Sequence, residues 1–249
     1  MKRFLRMLMM CMAGGTLMMA PSCTDAEKVE DGGVLRVKLA VDASAVTRAE
    51  QMTVAAPEAA AFDLEVATAE GEQVEYWASL EELTADRRFE VGEYQLKATY
   101  GDVTDEGFDK TAFEAQAPCR IMPNQTTLVN MTATLVNTGV RVSRSAAFAK
   151  YFSNVTVELE SAAGAVIPFV EDEQRVAFVA PEGFALKVAY TKPNGTEGNR
   201  TFRVSDVQPR TIYNVRLDVN DGEVGSAALV VKFDDSVTVE NVEIEIDEQ

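Results

Sequence analysis

The sequence predicts an all-β protein built from two tandem antiparallel β-sandwich domains. Short runs alternate apolar and polar residues with the period of two that half-buried strands require, and Leu35 to Val41 is the first of them. Glycine and proline separate these runs, whereas helix signals are sparse, with Ser145 expected to cap one short helix. A sandwich needs about 100 residues, so the roughly 218 residues after the N-terminal segments suffice for two.

Residues 1–22 have the composition of a signal peptide. They contain seven of the ten methionines and three basic residues but no acid, with an apolar stretch from Met7 to Ala20. A transmembrane helix needs roughly 20 apolar residues, and this stretch is shorter, contains Gly14-Gly15 and ends at Pro21. We therefore expect the segment to be removed rather than to remain as a membrane span.

The signal segment ends in Ala20-Pro21-Ser22-Cys23, which resembles the bacterial lipoprotein box except that Ala20 replaces the usual leucine. This resemblance implies that Cys23 is lipidated and becomes the new N-terminus. The alternative is a structural cysteine just past an ordinary cleavage site, with Cys119 as its remaining partner. If Cys23 carries lipid, Cys119 is a free thiol, and its simplest role is that of a small buried apolar residue.

Residues 23–31 are expected to form an acidic, solvated tether. Acidic residues directly after the cysteine resemble the signal that sends Bacteroidota lipoproteins to the outer face of the outer membrane. We expect this location, with the N-terminal lipid as the contact to the membrane. Without the three basic residues of 1–22, the chain has 20 Lys and Arg against 40 Asp and Glu, so its charge disfavours an anionic membrane surface.

Composition excludes several classes of function. The chain has no histidine, which removes Ser-His-Asp and Cys-His nucleophiles and His-ligated zinc. A net charge of −17 argues against nucleic acid as a partner, because phosphate binding needs clustered Lys and Arg. Forty acidic residues make chance carboxylate pairs inevitable, so a glycosidase-like pair carries no signal. We predict that the protein is not an enzyme and has no catalytic residues, no cofactor and no metal site.

An internal repeat divides the chain near Asn137-Thr138. Four short matches occur in the same order in both parts, with offsets that fall from 106 to 84 residues. We therefore predict one sandwich in residues 32–137 and a second, with shorter loops, in residues 138–249. The matches pair Gly33 with Gly139, Phe62 with Val155, Leu96 with Leu186 and Asn130 with Asn214.

Three segments fit no strand or metal motif well. Residues 42–61 are rich in alanine and lack a regular period, which predicts a flexible loop. Residues 218–223 place glycine fifth rather than sixth in a would-be calcium loop, so a hairpin turn explains them better. Asp102, Asp105 and Glu106 are expected to be solvated turn residues, with weak calcium binding as the alternative.

Several motifs occur along the chain: a lipoprotein signal, an opening Gly-x-Leu strand, Thr47-Arg48-Ala49, Trp77 to Leu83, Gly92-Glu93-Tyr94, Gly107-Phe108-Asp109-Lys110, Leu135-Val136-Asn137 and an acidic C-terminal strand. In this layout the chain resembles the Bacteroidota family catalogued as domain of unknown function 4493, over nearly the whole mature chain. It is similar, more distantly, to fimbrillin-type subunits, which are lipoproteins with two transthyretin-like sandwiches. These resemblances imply transthyretin- or immunoglobulin-like domains and no established activity.

The resemblance to fimbrillins draws attention to Arg48. In such subunits a trypsin-like protease cuts after an arginine that follows the first strand, and Arg48 has a corresponding place here. Cutting would leave the first strand held by sheet pairing alone, and its loss would expose a groove for an incoming strand. The run from Val242 to Ile246 has a suitable alternation. The alternatives are that this run closes its own domain and that Arg48 is an ordinary loop residue.

Tyr76 and Trp77 are candidate ligand-binding residues. Because they are adjacent, a strand points one of them inward and the other outward, and an outward aromatic can stack on a sugar. The alternative is a contact in the core or between domains. Asp235-Ser236-Val237 resembles the O-glycosylation triplet of Bacteroidota envelope proteins, which makes Ser236 a candidate glycosylation site.

The sequence leaves three functions open for a surface-displayed lipoprotein. The first is a non-catalytic binding or structural module of unknown ligand. The second is a fimbrillin-like adhesive or pilus subunit that assembles by strand exchange with other envelope subunits. The third is an accessory lipoprotein that binds a surface glycan. A glycan binder requires an exposed aromatic on a concave face, and a pilus subunit requires a removable strand and a groove.

Overall fold

The computed structural model describes residues 31–47, 51–220 and 228–233, and strands dominate it, which confirms the predicted all-β class. We call residues 31–137 the first half and residues 138–233 the second half. The strands described in the first half are β1 (Gly33–Asp42), β2 (Ser44–Val46), β3 (Gln51–Thr53), β4 (Asp63–Thr68), β5 (Gln73–Trp77), β6 (Arg88–Phe89), β7 (Gly92–Tyr100), β8 (Gly107–Phe108), β9 (Phe113–Ile121) and β10 (Thr126–Leu135). Those in the second half are β11 (Thr138–Arg144), β12 (Ser153–Ser161), β13 (Val166–Phe169), β14 (Ala177–Val179), β15 (Phe184–Thr191), β16 (Glu197–Val204), β17 (Ile212–Asn220) and β18 (Ala228–Phe233). The described helical segments are α1 (Ala146–Tyr151) and two 3-10 turns, Ala59–Ala61 and Leu80–Glu82.

The first half forms a seven-stranded sheet that curls until its two edges meet. Its order is β5-β4-β7-β9-β10-β1-β6. Trp77 on the β5 edge and Phe89 on the β6 edge have ring centroids 6.2 Å apart in an edge-to-face contact, and Arg87 pairs with Glu75 beside them. The curled sheet encloses a first core that includes Leu35, Phe62, Leu96, Phe113 and Met131.

The second half packs two sheets around a second core. One sheet has the order β13-β12-β15-β16, and the other has the order β18-β17-β11-β14-β8. Leu159 and Leu186 from the first of these sheets and Leu217 from the second are fully buried in this core. Because β8 belongs to the first half of the chain, the two halves also share a sheet.

The two halves repeat the same set of strand pairings. The order β5-β4-β7-β9 corresponds to β13-β12-β15-β16, and β10-β1-β6 corresponds to β17-β11-β14. In each half the opening strand runs parallel to a later strand, β1 beside β10 and β11 beside β17. Two of the sequence matches also agree in register, because Val66 pairs with Leu96 as Leu159 pairs with Leu186.

The outer two sequence matches differ in register. Asn130 on β10 pairs with Lys38 on β1. If Gly33 corresponds to Gly139, Lys38 corresponds to Arg144, so Asn214 is expected to pair with Arg144. Asn214 instead pairs with Arg141, three residues earlier. A shift of this kind leaves the order and direction of the strands unchanged. The shared pairings support our proposal that residues 32–137 and 138–249 are two related domains.

The prediction that residues 42–61 contain no strand is wrong. Strands β2 and β3 form a small antiparallel hairpin in which Ala45 pairs with Met52. Ala45 is fully buried and belongs to the first core, and Thr47 is 4% exposed. Strands of three residues are too short to show a period of two, so alternation in the sequence could not reveal them.

The connection between the halves is buried. Asn137 is 1% exposed, and its side-chain amide donates to the Lys110 carbonyl at 2.7 Å. The main-chain carbonyl of Asn137 accepts from the Arg210 N–H at 3.0 Å. The Thr138 hydroxyl donates to the Gln208 carbonyl at 2.8 Å. The proposed boundary is therefore a fixed contact between the halves rather than an exposed linker.

Candidate binding and anchoring sites

Three of the sites predicted from the sequence lie outside the described residues. They are the candidate lipidation site Cys23, the candidate cleavage site Arg48 and the candidate glycosylation site Ser236. The alternating run from Val242 to Ile246 lies outside them as well. These four remain predictions from the sequence.

Tyr76 lies on the outer surface of the edge strand β5, and 52% of its surface is exposed. Glu65 is its cross-strand neighbour on β4, and the Tyr76 hydroxyl lies 3.5 Å from Oδ2 of Asp63. The negative charge of Asp63 raises the pKa of Tyr76 above its usual value. Tyr76 is an exposed aromatic ring flanked by carboxylates, which are good acceptors for sugar hydroxyl groups.

Trp77 has a different environment from its neighbour. Its side chain is partly buried against the first core and meets the Phe89 ring at 69°. Because this contact joins the two edges of the curled sheet, Trp77 helps to close the first core. Tyr76 is therefore the better candidate of the two for contact with a ligand.

Residues 42–46, which precede Arg48 in the first half, are hydrogen-bonded to the second half. The Arg210 guanidinium bonds to the Asp42 carboxylate and the Ser44 hydroxyl, and its Nε donates to the Ser44 carbonyl at 2.8 Å. The Val46 N–H donates to the Arg210 carbonyl at 2.9 Å. Hydrogen bonds from Ser44, reinforced by Arg210, lower the pKa of Asp42. We call this group of bonds the Arg210 contact, and it fixes the end of β1 to the second half.

The acidic loop before β8 makes contacts within the fold. Asp105 pairs with Lys110, with 2.7 Å between the carboxylate and the ammonium group. The Glu106 carboxylate reaches the second half, where it accepts hydrogen bonds from the Ser161 hydroxyl and, at 2.8 Å, from the Ala180 N–H. The expectation that Glu106 is a solvated turn residue is therefore wrong.

Chemically reactive groups are sparse in the part of the chain that the structure describes. There, no three or more Asp, Glu, Cys or His side chains are grouped so that they could hold a metal ion. No helix within residues 31–47, 51–220 and 228–233 has the length and apolar character to cross a membrane. Cys119 on β9 forms no disulfide with any described residue and is partly buried, and burial raises the pKa of its thiol. A raised pKa makes a thiol a poor nucleophile at neutral pH.

The second half contains concave surface at positions that no sequence motif predicted. A cavity of about 670 Å³ lies between α1 and the β12-β13 ladder, and Arg144, Phe148 and Val155 contribute to its lining. Depressions of about 290 and 510 Å³ lie nearby on β12, β15 and β16. Neither Tyr76 nor Trp77 lines any of these three. No sequence signal marks the lining residues, because only strand pairing brings them together.

The described fold is that of an all-β protein with one curled sheet and one two-sheet sandwich. The chain belongs to the family described as Domain of unknown function (DUF4493), whose model matches residues 31–248. This match confirms the family resemblance that the motifs predicted. Among curated proteins, none matches the sequence.

Solved structures of bacterial proteins are similar to this chain at low sequence identity. The fimbrial anchor protein Mfa2 from Porphyromonas gingivalis is 12% identical, with a TM-score of 0.39 over 81% of this chain and 97% of that one. A candidate cell adhesion protein from Bacteroides eggerthii is 9% identical, with a TM-score of 0.46 over 82% of this chain and 95% of that one. A candidate polysaccharide binding protein (DUF1812) from Bacteroides thetaiotaomicron is 12% identical, with a TM-score of 0.44 over 76% and 92%.

Proposed function

We propose that the protein is a non-catalytic lipoprotein of the outer membrane, displayed at the cell surface as a binding or structural module. The observation that carries this proposal is Cys23, which directly follows a signal-like segment and directly precedes an acidic tether. The lack of histidine supports a role without catalysis, because it removes the commonest general base.

The start of the fold supports anchoring at Cys23. The first strand begins at Gly33, a short distance along the chain from Cys23. The Gly32 carbonyl accepts from the Asn124 N–H at 3.1 Å, and the Val34 N–H donates to the Gln125 carbonyl at 2.8 Å. These bonds fix the point at which the chain enters the fold, so a lipid at Cys23 would hold the whole molecule near the membrane.

Fractionation of cells that express Cys23→Ala tests the anchor. We expect this variant to move into the soluble or secreted fraction, whereas the matched control Cys119→Ala stays with the membranes. Mass spectrometry of the mature N-terminus from native membranes separates the lipidated form from a merely cleaved one. A Cys23→Ala protein that stays membrane-bound and unprocessed would contradict the proposal.

A fimbrillin-like subunit that assembles by strand exchange is a second candidate, and β1 favours it. This strand pairs with β10 through nine residues but with β6 through only two. Leu35 is 1% exposed, and Val37 and Leu39 pack against the first core, so removal of β1 would uncover an apolar groove. The Arg210 contact opposes this function, because it holds the end of β1 that release would have to free.

A glycan-binding role is favoured by Tyr76, which combines an exposed ring with the neighbouring Asp63 and Glu65 carboxylates. The ring lies outside the three concavities described above, so it meets only the first of the two requirements of a glycan binder. Screening the protein against a glycan array tests this role. We expect Tyr76→Ala to abolish any specific signal and Val74→Ala, on the same exposed strand, to leave it unchanged. A signal that survives Tyr76→Ala would exclude this surface as the binding site.

A further inference from the structure

The outer face of β9, β10 and β1 carries exposed cations around an exposed leucine. Leu128 on β10 is 58% exposed and pairs with Arg36 on β1, and Lys38 lies two positions further along that strand. The Thr127 hydroxyl donates to the Arg120 carbonyl at 3.1 Å, which brings Arg120 on β9 to the other side of Leu128. Arg36, Lys38 and Arg120 are all exposed. We call Arg36, Lys38, Arg120 and Leu128 the basic face.

From this arrangement we propose that the basic face docks on the anionic surface of the membrane in which the protein is anchored. The proposal rests on the anchoring proposed above and adds an orientation to it. The partner is a lipid layer with negatively charged headgroups, because exposed Lys and Arg around an apolar side chain match the chemistry of such an interface.

The cations of this face lie close together on adjacent strands and form no ion pair within the described part of the chain. Among the described residues, no carboxylate forms an ion pair with Arg36, Lys38 or Arg120, and the nearest acidic neighbour across the strands is Glu93 on β7, which pairs in register with Arg120. Lys97 and Lys187, by contrast, each pair with a glutamate on a neighbouring strand. The sequence of β10 contains no charged residue at all. In a chain with a net charge of −17, this is a local region that attracts anions.

Exposed apolar groups continue from the basic face towards the point where the chain enters the fold. Met122, just past β9, is 38% exposed, and Val91, just before β7, is 51% exposed. Gly92 pairs with Ile121 in the antiparallel ladder of β7 and β9. Val91, which precedes Gly92, and Met122, which follows Ile121, are therefore opposite each other at the end of this ladder. Gly33 packs so closely on the Met122 carbonyl that a Cβ there would clash. The apolar patch therefore adjoins the first residue of β1.

The proposed anchor lies within reach of this surface. A chain extends by at most about 3.5 Å per residue, so residues 23–31 span no more than roughly 30 Å. The molecule as a whole is repelled by anionic lipid, and this repulsion favours any orientation that turns the basic face to the membrane. Each basic residue near such a surface contributes modestly, and its effect decays within a Debye length. The basic face therefore orients a molecule that the lipid holds in place.

Co-sedimentation with vesicles tests the docking without the lipid anchor. The chain from residue 24 onwards is mixed at low salt with vesicles of neutral phosphatidylcholine or of phosphatidylcholine with phosphatidylglycerol. We expect binding to the anionic vesicles alone, with a loss of about tenfold for Arg36→Gln/Lys38→Gln. Lys150→Gln/Lys192→Gln removes the same charge from the second half and should leave binding unchanged. No binding to anionic vesicles, or equal loss in both double variants, overturns the proposal.

An environment-sensitive dye locates the contact. It is attached in a Cys119→Ala background either at Leu128→Cys or at Val166→Cys, a site on β13 that is 54% exposed. Anionic vesicles should shift the emission of the dye at position 128 and not at position 166. A shift at both positions, or at 166 alone, contradicts docking through the basic face.

The acidic tether is the alternative occupant of the basic face. If the chain from residue 24 fails to bind and a chain from residue 32 binds, the tether covers the face and the proposal is wrong. Loss of anchoring in Cys23→Ala cells is measured separately, since the vesicle assays contain no lipidated protein. The docking and the lipid anchor can therefore fail independently.

Discussion

At the scale of single residues, Asp218 connects three elements of the second half. Its Oδ1 accepts from the Ser145 hydroxyl at 2.8 Å and from the Val219 N–H at 2.9 Å, and its Oδ2 lies 2.9 Å from the Lys232 ammonium. Ser145 also caps α1 by accepting from the Phe148 N–H at 3.0 Å. Lys232 first, and then Ser145, lower the pKa of Asp218 well below its usual range.

Acid should therefore weaken the fold through Asp218. Because its pKa is lower in the folded than in the unfolded chain, its contribution to the free energy of unfolding is complete above the unfolded pKa of about 3.9 and is lost as the pH falls further. Asp218→Asn should lower that free energy by about 1 kcal/mol at pH 7 and flatten its decline below about pH 4. Urea denaturation across this pH range measures both effects.

The exposed pair of Asp105 with Lys110 provides the control for this prediction. Both side chains are at least half exposed, so Asp105→Asn should change the free energy of unfolding at pH 7 only slightly. An acid slope that is the same in the wild-type protein and in Asp218→Asn would show that Asp218 is not the group responsible.

Residue-level contacts were predictable only where they are local. The Ser145 cap was predicted because the cap and its helix are adjacent in the chain. The bond between Lys232 and Asp218 joins residues 14 apart, and that between Arg210 and Asp42 joins residues 168 apart. Such partners meet only through strand register and the packing of the two halves, which a single sequence does not specify. The basic face could not be predicted from the sequence for the same reason.

At the scale of elements, the contact between β5 and β6 closes the first core. We expect Trp77→Ala to lower the free energy of unfolding by about 2 kcal/mol, because a partly buried indole and its edge-to-face contact with Phe89 are lost. Tyr76→Ala, one residue earlier and exposed, should cost far less. Urea unfolding followed by far-UV circular dichroism measures both. Equal losses in the two variants would mean that the sheet does not close through Trp77.

Cleavage at Arg48 should leave β1 in place. The nine-residue ladder with β10, the burial of Leu35 and the Arg210 contact hold the strand without a covalent link to β3. After limited trypsinolysis at low enzyme concentration, we expect any fragment that ends at Arg48 to co-elute with the remaining chain as a monomer. Release of the fragment with assembly of the remainder would instead favour strand exchange. Protection of Arg48 from trypsin would remove the basis for that function.

Long strands with regular alternation were predictable from the sequence, whereas the short strands and the eight-residue strand β16 were not. Alternation over five or more residues marked β1, β7, β10, β12 and β17, because the same face of each strand is buried along much of its length. The segments β2, β3, β6, β8 and β14 have two or three residues each. A period cannot be read from so few positions, and their pairing depends on the sheet that receives them.

At the scale of the whole molecule, the two halves are held together by polar contacts as well as by the shared sheet. Arg210 binds Asp42 and Ser44, and Glu106 binds Ser161 and the Ala180 N–H. The ring of Phe108 on β8 also meets Phe169 of the second core at 5.2 Å. These contacts should make the two halves unfold together.

Glu106→Ala/Arg210→Ala should separate the unfolding of the two halves. The chain contains one tryptophan, Trp77, so its fluorescence reports on the first half, while circular dichroism reports on both. In the wild-type protein we expect the two signals to change at the same urea concentration, and in the double variant at different ones. Arg141→Ala, which removes a bond to Asn214 within the second half, should keep them coincident. Coincident transitions in the double variant would mean that β8 and the remaining contacts, such as the backbone bond from Val46 to Arg210, suffice to couple the halves.

The sequence matches and the strand order both support the proposed repeat, but no match indicates the joint between its copies. The matching segments form strands that occupy the same place in the strand order of each half, because the same face of each strand is buried in the core of its half. The joint depends on Glu106, β8 and Arg210, which have no counterpart among the matches. A contact that occurs in only one of the two copies produces no repeated pattern in the sequence.

The parallel pairing of β1 with β10 has a mechanical consequence. A pull applied at residue 33 acts along β1, while the Arg210 contact holds the far end of this strand against the second half. The ladder is then loaded in shear, and its hydrogen bonds resist together instead of opening one after another as in a peeled hairpin. With the anchor at Cys23 that we propose, persistence of the fold under flow would be set by the rate at which this ladder ruptures under tension rather than by equilibrium stability.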